Sequence, residues 1–218
     1  MNCLQPMLGK TIELKITENV TRSGVLIDYG ADIVVIYDGN DYLYVPAVHI
    51  QTIQLTSVPH EIIGYKVTDV VNETSYEEIL KKSFGIFLQI YVSGNQSIHG
   101  YITNVQSNYF VFYSPIHKTM YIPMFHLKWL IPYPNNPLPY ALNSILPETS
   151  PDNQLNDTFE GQLKELEGHL VVFDWGSSSS KIGLLKSVNQ HMAELITADQ
   201  TSVFRNIQHV KTACFPNL

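Results

Sequence analysis

The segment Thr11-Ile12-Glu13-Leu14-Lys15-Ile16 alternates polar and apolar side chains without a break. That period of two belongs to a strand with one face in water. Four more short runs follow: SGVLIDYG (23–30), DIVVIYD (32–38), DYLYVP (41–46) and HIQTIQL (49–55). The Asp-Gly of YDGND tolerates positive φ and predicts a hairpin between the third and fourth runs. The proline that ends the fourth run cannot donate to a strand ladder, which predicts a short turn before the fifth. Five short strands in about fifty residues predict a small SH3-like or Sm-like barrel.

The same pattern is laid down three times. Gly9 and Gly24, Gly85 and Gly100, and Gly168 and Gly183 are each 15 residues apart. From the second glycine to His49, His126 and His209 the gaps are 25, 26 and 26 residues. A new apolar run starts nine residues after each second glycine, at Ile33, Tyr109 and Met192. An aromatic stands five residues before each histidine (Tyr44, Tyr121, Phe204) and an aliphatic directly follows it. One ruler thus fits three repeats, 8–56, 84–133 and 167–215. Gly24, Gly100 and Gly183 fall in or beside the second strand, where glycine permits the bend or close backbone approach of a tight barrel.

The period changes ahead of the second and third repeats. SYEEILKKSFG (75–85) and TFEGQLKELEG (158–168) put Tyr76, Ile79 and Leu80 on one helical face, and Phe159, Leu163 and Leu166 on another. Ser75 and Glu78 have capping-box spacing. The expected architecture is therefore mainly all-β, with three tandem five-stranded barrels and a short α-helix before the second and third. Barrel one occupies 1–56, a linker 57–73, helix and barrel two 74–134, a Pro/Asn-rich linker 135–156, and helix and barrel three 157–218.

Composition narrows the function. Hydrophobic residues make up 44% of the 218 and charged residues 15%, enough for a buried core. A net charge of −7 argues against nucleic acid or an anionic membrane as partner. No apolar run approaches the roughly 18 residues of a membrane span. The start, MNCLQPMLGK, lacks a basic segment followed by an apolar one, so a soluble chain made in the cytosol without a secretory signal is expected. Cys3 and Cys214 make neither a disulfide framework nor a metal site.

Catalytic patterns are missing. To serve as ligands or bases together, His49, His126 and His209 would have to converge from three barrels, and no HExxH or paired Cys-x-x-Cys spacing accompanies them. They read instead as architecture, each ring bonding a backbone group at its tight turn. WGSSSSKIG (175–183) lacks the Gly-Lys-Ser/Thr ending of a phosphate loop and reads as a flexible hairpin loop. No Gly-x-Ser-x-Gly elbow occurs, and Asp28, Asp32, Asp38 and Asp41 sit at turn positions. No catalytic residue, metal, cofactor or small-molecule substrate is expected, and the protein reads as a non-enzyme. In the second repeat Tyr101, Tyr109, Tyr113, Tyr121, Phe125 and Trp129 are candidate interface aromatics, between barrels or between molecules, with the rest of that cluster lining the core.

The helix leading into Gly-x-x-aliphatic, the Gly/Ser loop with Lys in WGSSSSKIG, and the aromatic-x4-His-aliphatic-x-x-aliphatic ending resemble the amino-terminal triple-repeat region of the Bacillus spore coat protein B family. The resemblance covers nearly the whole chain. It implies a structural protein of the spore outer layers, coat or exosporium, made in the mother-cell cytoplasm and deposited on the spore. Its implied partners are other coat or exosporium proteins, or further copies of itself. That family carries a long Ser/Lys-rich tail, and this sequence stops at CFPNL, so functions of the tail are not carried over. In such an envelope Cys3 and Cys214 are candidates for intermolecular disulfides. The alternative reading is an Sm-like RNA-binding regulatory module. Against it, residues 1–56 hold three Lys/Arg (Lys10, Lys15, Arg22) and six Asp/Glu (Glu13, Glu18, Asp28, Asp32, Asp38, Asp41), a poor surface for a polyanion.

Overall fold

The computed structural model of the protein describes residues 2–56, 75–92, 97–133, 140 and 155–216. The chain is mainly β, and its paired strands run antiparallel. The first repeat supplies β1 (Thr11–Thr17), β2 (Val20–Tyr29), β3 (Ile33–Tyr37), β4 (Tyr42–Pro46) and β5 (Thr52–Leu55). The second supplies α1 (Tyr76–Lys82), β6 (Phe87–Tyr91), β7 (Ile98–Val105), β8 (Tyr109–Ser114), β9 (Lys118–Pro123) and β10 (Trp129–Pro132). The third supplies α2 (Phe159–Glu165), β11 (Leu170–Phe173), β12 (Ile182–Asn189), β13 (Met192–Ile196), β14 (Ser202–Asn206) and β15 (Ala213–Cys214).

Alternation in the sequence becomes alternation in burial. Along β1, Ile12, Leu14 and Ile16 are buried while Thr11, Glu13, Lys15 and Thr17 are half-exposed. In the first repeat β1 pairs with both β2 and β5, β2 with β3, and β3 with β4. The third repeat has the same connectivity, with β11 between β12 and β15 and then β13 and β14 in order. In the second, β6 pairs with β10, and β7, β8 and β9 pair in succession.

Two compact units result, Met1–Ile98 with Leu127–Pro137, and His99–His126 with Leu138–Leu218. The second repeat is shared between them: β6 and β10 belong to the first unit, β8 and β9 to the second. Strand order in the first is β6-β10-β4-β3-β2-β1-β5, and in the second β14-β13-β12-β11-β15-β9-β8-β7. Each unit has an apolar core. One gathers Leu4, Ile12, Leu14, Leu26, Ile36 and Trp129 among others, and the other Tyr109, Tyr121, Phe159, Leu163, Phe173 and Val210 among others.

The glycine ruler has two physical causes. Gly9, Gly85 and Gly168 all take left-handed φ, 72°, 72° and 87°, which side chains other than glycine adopt at a cost. Gly24, Gly100 and Gly183 lie where the second strand crosses the third. A Cβ at Gly24 would stand 2.5 Å from the Tyr37 carbonyl oxygen, and at Gly183 2.5 Å from that of Ile196; at Gly100 the Tyr113 carbonyl is nearer still. Two or three residues beyond each crossing the ladder slips by one, between Leu26 and Asp28, Ile102 and Asn104, and Leu185 and Ser187. Bulges of this kind bend a strand and increase its twist.

Both helices form where the sequence places them. The Ser75 hydroxyl accepts from Glu78 N at 3.2 Å and Ser75 N donates to Glu78 Oε2 at 3.4 Å, closing the capping box. Phe159, Leu163 and Leu166 are all buried against the second core. Each helix start is also tied to the preceding repeat, Tyr76 N donating to Asp32 Oδ1 and Phe159 N to Asn108 Oδ1, both at 2.8 Å. The first repeat is preceded by a 3-10 turn, Asn2–Met7, whose Leu4 is buried. One expectation changes. The fifth strand starts at Thr52, because His49 belongs to the 3-10 turn Ala47–His49 before it. The linker 57–73 lies outside the described residues, as does nearly all of 135–156.

Substituting Gly183→Ala is expected to lower stability by about 1–3 kcal/mol through forced overpacking, read as a fall in the midpoint of thermal unfolding. An unchanged midpoint would contradict the close strand crossing.

Candidate functional site

The three histidines each end a 3-10 turn: Ala47–His49, Met124–His126 and Ile207–His209. In two of them the turn is closed by the residue after the histidine, Ile50 N donating to Ala47 O and Val210 N to Ile207 O, both at 3.0 Å. The rings reach beyond their own turns. Lys128 Nζ donates to His49 Nδ1 at 3.0 Å, and His126 Nε2–H donates to Gln208 O at 2.9 Å. In each case the partner stands beside the next repeat's histidine. His49 is buried, His126 half-buried and His209 exposed. Through these bonds the first two rings link one repeat to the next. Among the described residues, no group of three or more His, Cys, Asp or Glu is placed to hold a metal ion.

The backbone joins the repeats at the same places. In the first unit β4 pairs antiparallel with β10, Tyr44 opposite Leu130. In the second β9 pairs antiparallel with β15, Tyr121 opposite Ala213 and Met120 opposite Cys214. Tyr44 and Tyr121 are both the aromatic five residues before a histidine, and Leu130 and Ala213 both lie four residues after one. The two seams therefore share one register.

Most of the candidate aromatics serve these seams or the interior. Tyr121 sits in the core that holds the third repeat, edge-on to Phe215 with ring centroids 5.8 Å apart. Trp129 stacks on Tyr91 at 4.0 Å and carries the Arg22 guanidinium 4.5 Å from its ring centre. Tyr109 is fully buried; its hydroxyl donates to Asn156 O at 2.8 Å, and burial pushes its ionisation well above the usual tyrosine range. Tyr101 is buried and Tyr113 half-buried, while Phe125 stays 62% exposed. As surfaces for an outside partner, Tyr101, Tyr109, Tyr121 and Trp129 are corrected, since their rings are covered within the chain.

A cleft of about 640 Å³ in the second unit lies between α2 and the turns of His126 and His209, with Phe125, Glu160, Lys164 and His191 in its lining. Glu160 bridges Lys164 at 2.9 Å and His191 Nδ1 at 2.8 Å, and the Lys164 hydrogen bond is the largest influence holding its carboxyl below the usual range. Thr158, also in the lining, caps α2 by accepting from Gly161 N. Both polar groups are thus engaged in holding the helix in place.

Asp174 carries a role that the sequence reading missed. It is buried, bridges Lys181 at 2.9 Å and accepts from Lys211 N at 2.8 Å. It thereby folds the loop expected to be flexible into two 3-10 turns, Asp174–Gly176 and Ser179–Lys181. The only available signal was an acid ending the apolar run LVVFD. Cys3 is exposed on the N-terminal 3-10 turn; Cys214 is half-buried between β11 and β9, and burial pushes its thiol up to about 11.

Comparison with known proteins now adds a family. The chain is 40% identical over 225 residues to YwrJ of Bacillus subtilis (strain 168), described as uncharacterized, covering 99% of this chain and 100% of that one. The chain belongs to the YwrJ family. A model of the YwrJ third domain matches residues 158–213, which hold α2, β11–β14 and the first residue of β15. The similarity also extends to Spore coat protein B of the same organism, 28% identical over 141 residues, which is 65% of this chain and 35% of that protein. This YwrJ-family chain therefore spans about a third of the spore coat protein that it resembles. Among the described residues, no helix is long and apolar enough to cross a membrane.

The two thiols should differ. The thiolate is the reactive form, so iodoacetamide at neutral pH is expected to label Cys3 readily and Cys214 slowly. Peptide mass spectrometry reads the difference, and denaturant should abolish it. Equal rates in the folded protein would contradict the placement of Cys214.

Proposed function

We propose that this protein is a structural, non-enzymatic component of the outer layers of a bacterial spore, coat or exosporium, and that it acts through protein–protein assembly. Its three repeats are three tandem SH3-like barrels, each of five strands with the fifth beside the first. It is made in the mother-cell cytoplasm and deposited on the spore. There its partners are coat or exosporium proteins, including further copies of itself.

The observation that carries this reading is the seam used twice. The fourth strand of one repeat and the fifth strand of the next meet in one register, Tyr44 with Leu130 and Tyr121 with Ala213. A chain whose repeats join edge to edge is already built from protein–protein contacts, and repeat proteins of this kind are stabilised by neighbour interfaces. The similarity to Spore coat protein B supports the place where such contacts would be used. The acidic balance, −7 overall, suits contact with protein better than with nucleic acid.

A fluorescent fusion expressed in a sporulating Bacillus host is the test. The expected result is a late ring of signal at the spore periphery, with altered extractable coat proteins in spores of the deletion strain. A signal that stays diffuse in the mother cell, with spores of unchanged protein composition and ultrastructure, would overturn the reading.

A further inference from the structure

Each internal seam needs two edges: the outer edge of a repeat's fourth strand and the outer edge of the next repeat's fifth strand. The first unit's strand order ends in β5, a fifth strand, and the second's ends in β14, a fourth strand. Among the described residues neither outer edge is paired. One edge of each kind is therefore left over. A seam joins unlike edges, so β5 and β14 are complementary.

The apolar contact positions of the internal seams recur at these edges. Phe204 on β14 corresponds to Tyr44 and Tyr121, each five residues before its histidine. Tyr121 is only 9% exposed beneath the third repeat, whereas Phe204 is 64% exposed. Across the second seam Tyr121 meets Ala213 by register and Phe215 by ring contact. By the same count, Ala213 corresponds to Ile53 and Phe215 to Leu55. Phe215 is 6% exposed and Leu55 53%. The same contrast runs across the outward face of the third and fourth strands. Tyr109 is fully buried, and its counterpart Met192 is 36% exposed. His126 bonds into the next repeat, while its counterpart His209 lies open. The third repeat thus keeps the apolar contact positions of a repeat that has a successor.

We propose that copies of this chain join head to tail. The β14 edge of one copy pairs antiparallel with the β5 edge of the next, in the register of the internal seams, with Phe204 opposite Ile53 and packed on Leu55. This deepens the assembly reading above by naming the surface and its partner, a second copy of the chain. The contact is weaker than the internal seams. No covalent linker raises the local concentration of the two edges, and the outward face of the third repeat carries Glu194, bonded to Lys186 at 2.8 Å, where the second has Val111. Because the two edges differ, the contact is heterologous and propagates into a ring or a filament instead of stopping at a dimer.

Cysteine cross-linking of the full chain tests this. Met120 lies opposite Cys214 in the second seam, so its counterparts Val203 and Gln54 should lie opposite each other between copies while Phe204 and Leu55 stay intact. In a Cys3→Ser background, Val203→Cys and Gln54→Cys are oxidised separately and mixed, with the parent as control. The mixture is expected to give a disulfide-linked dimer that neither variant gives alone, and the double variant a ladder. Monomers throughout, in chains with the parent's circular dichroism spectrum and unfolding midpoint, overturn the pairing. Dimers of Val203→Cys alone overturn its polarity. In sedimentation, Phe204→Lys and Leu55→Lys should each weaken self-association roughly tenfold or more, and their mixture should stop at a dimer through the one intact pair of edges. A chain that never associates yet reaches the spore surface sinks the head-to-tail contact alone. Association in solution by a fusion that never reaches the spore sinks the spore reading alone.

Discussion

An unpaired strand edge is a row of hydrogen-bonding groups that must be covered or paired, and this fold meets that need twice, where the fourth strand of the first and of the second repeat takes the fifth strand of the repeat that follows. β4 receives β10 and β9 receives β15, with aromatic opposite aliphatic in one register. Much else follows from that placement. His49 and His126 bond forward because their turns sit at the ends of the joined strands. Tyr121 and Trp129 are buried because the seam brings the neighbouring repeat over them. The second repeat is shared between two compact units because its outer strands pair with its neighbours as well as with its own.

The three repeats share the same irregularities of the second strand. A glycine at each second-strand crossing lets the facing carbonyl approach, and a bulge just beyond it turns the strand. A side chain at that point would force the facing carbonyl to shift. The helix starts add a second tie, since Asp32 and Asn108 each anchor the first turn of the helix that follows.

A protein built this way resembles a solenoid in its energetics, with each repeat stabilised by the ones beside it. Solenoids that act alone end in repeats with polar outer faces. Here the ends are mixed: Glu194 and Lys186 form an ion pair on the last repeat, while Phe204 and Leu55 keep large apolar groups in water.

The repeats, the strand positions, both helices and the special glycines could be read from the chain because each depends on local physics: a period of two or 3.6, a capping box, a backbone angle. The recurring histidines could be read as positions but not as contacts. Lys128 and Gln208, their partners, lie 79 and 82 residues away along the chain, and no local pattern joins them. Asp174 was missed because it also accepts from the backbone of Lys211, 37 residues on, where no local pattern points to it. Whether the interface aromatics of the second repeat meet a neighbouring repeat or another molecule could not be read, because composition does not tell a face left in water from a face covered by a neighbour. Sequence alone determined the unit and its count of three. Only the tertiary structure decided how the units meet, because strand edges pair through backbone groups that every residue except proline carries alike.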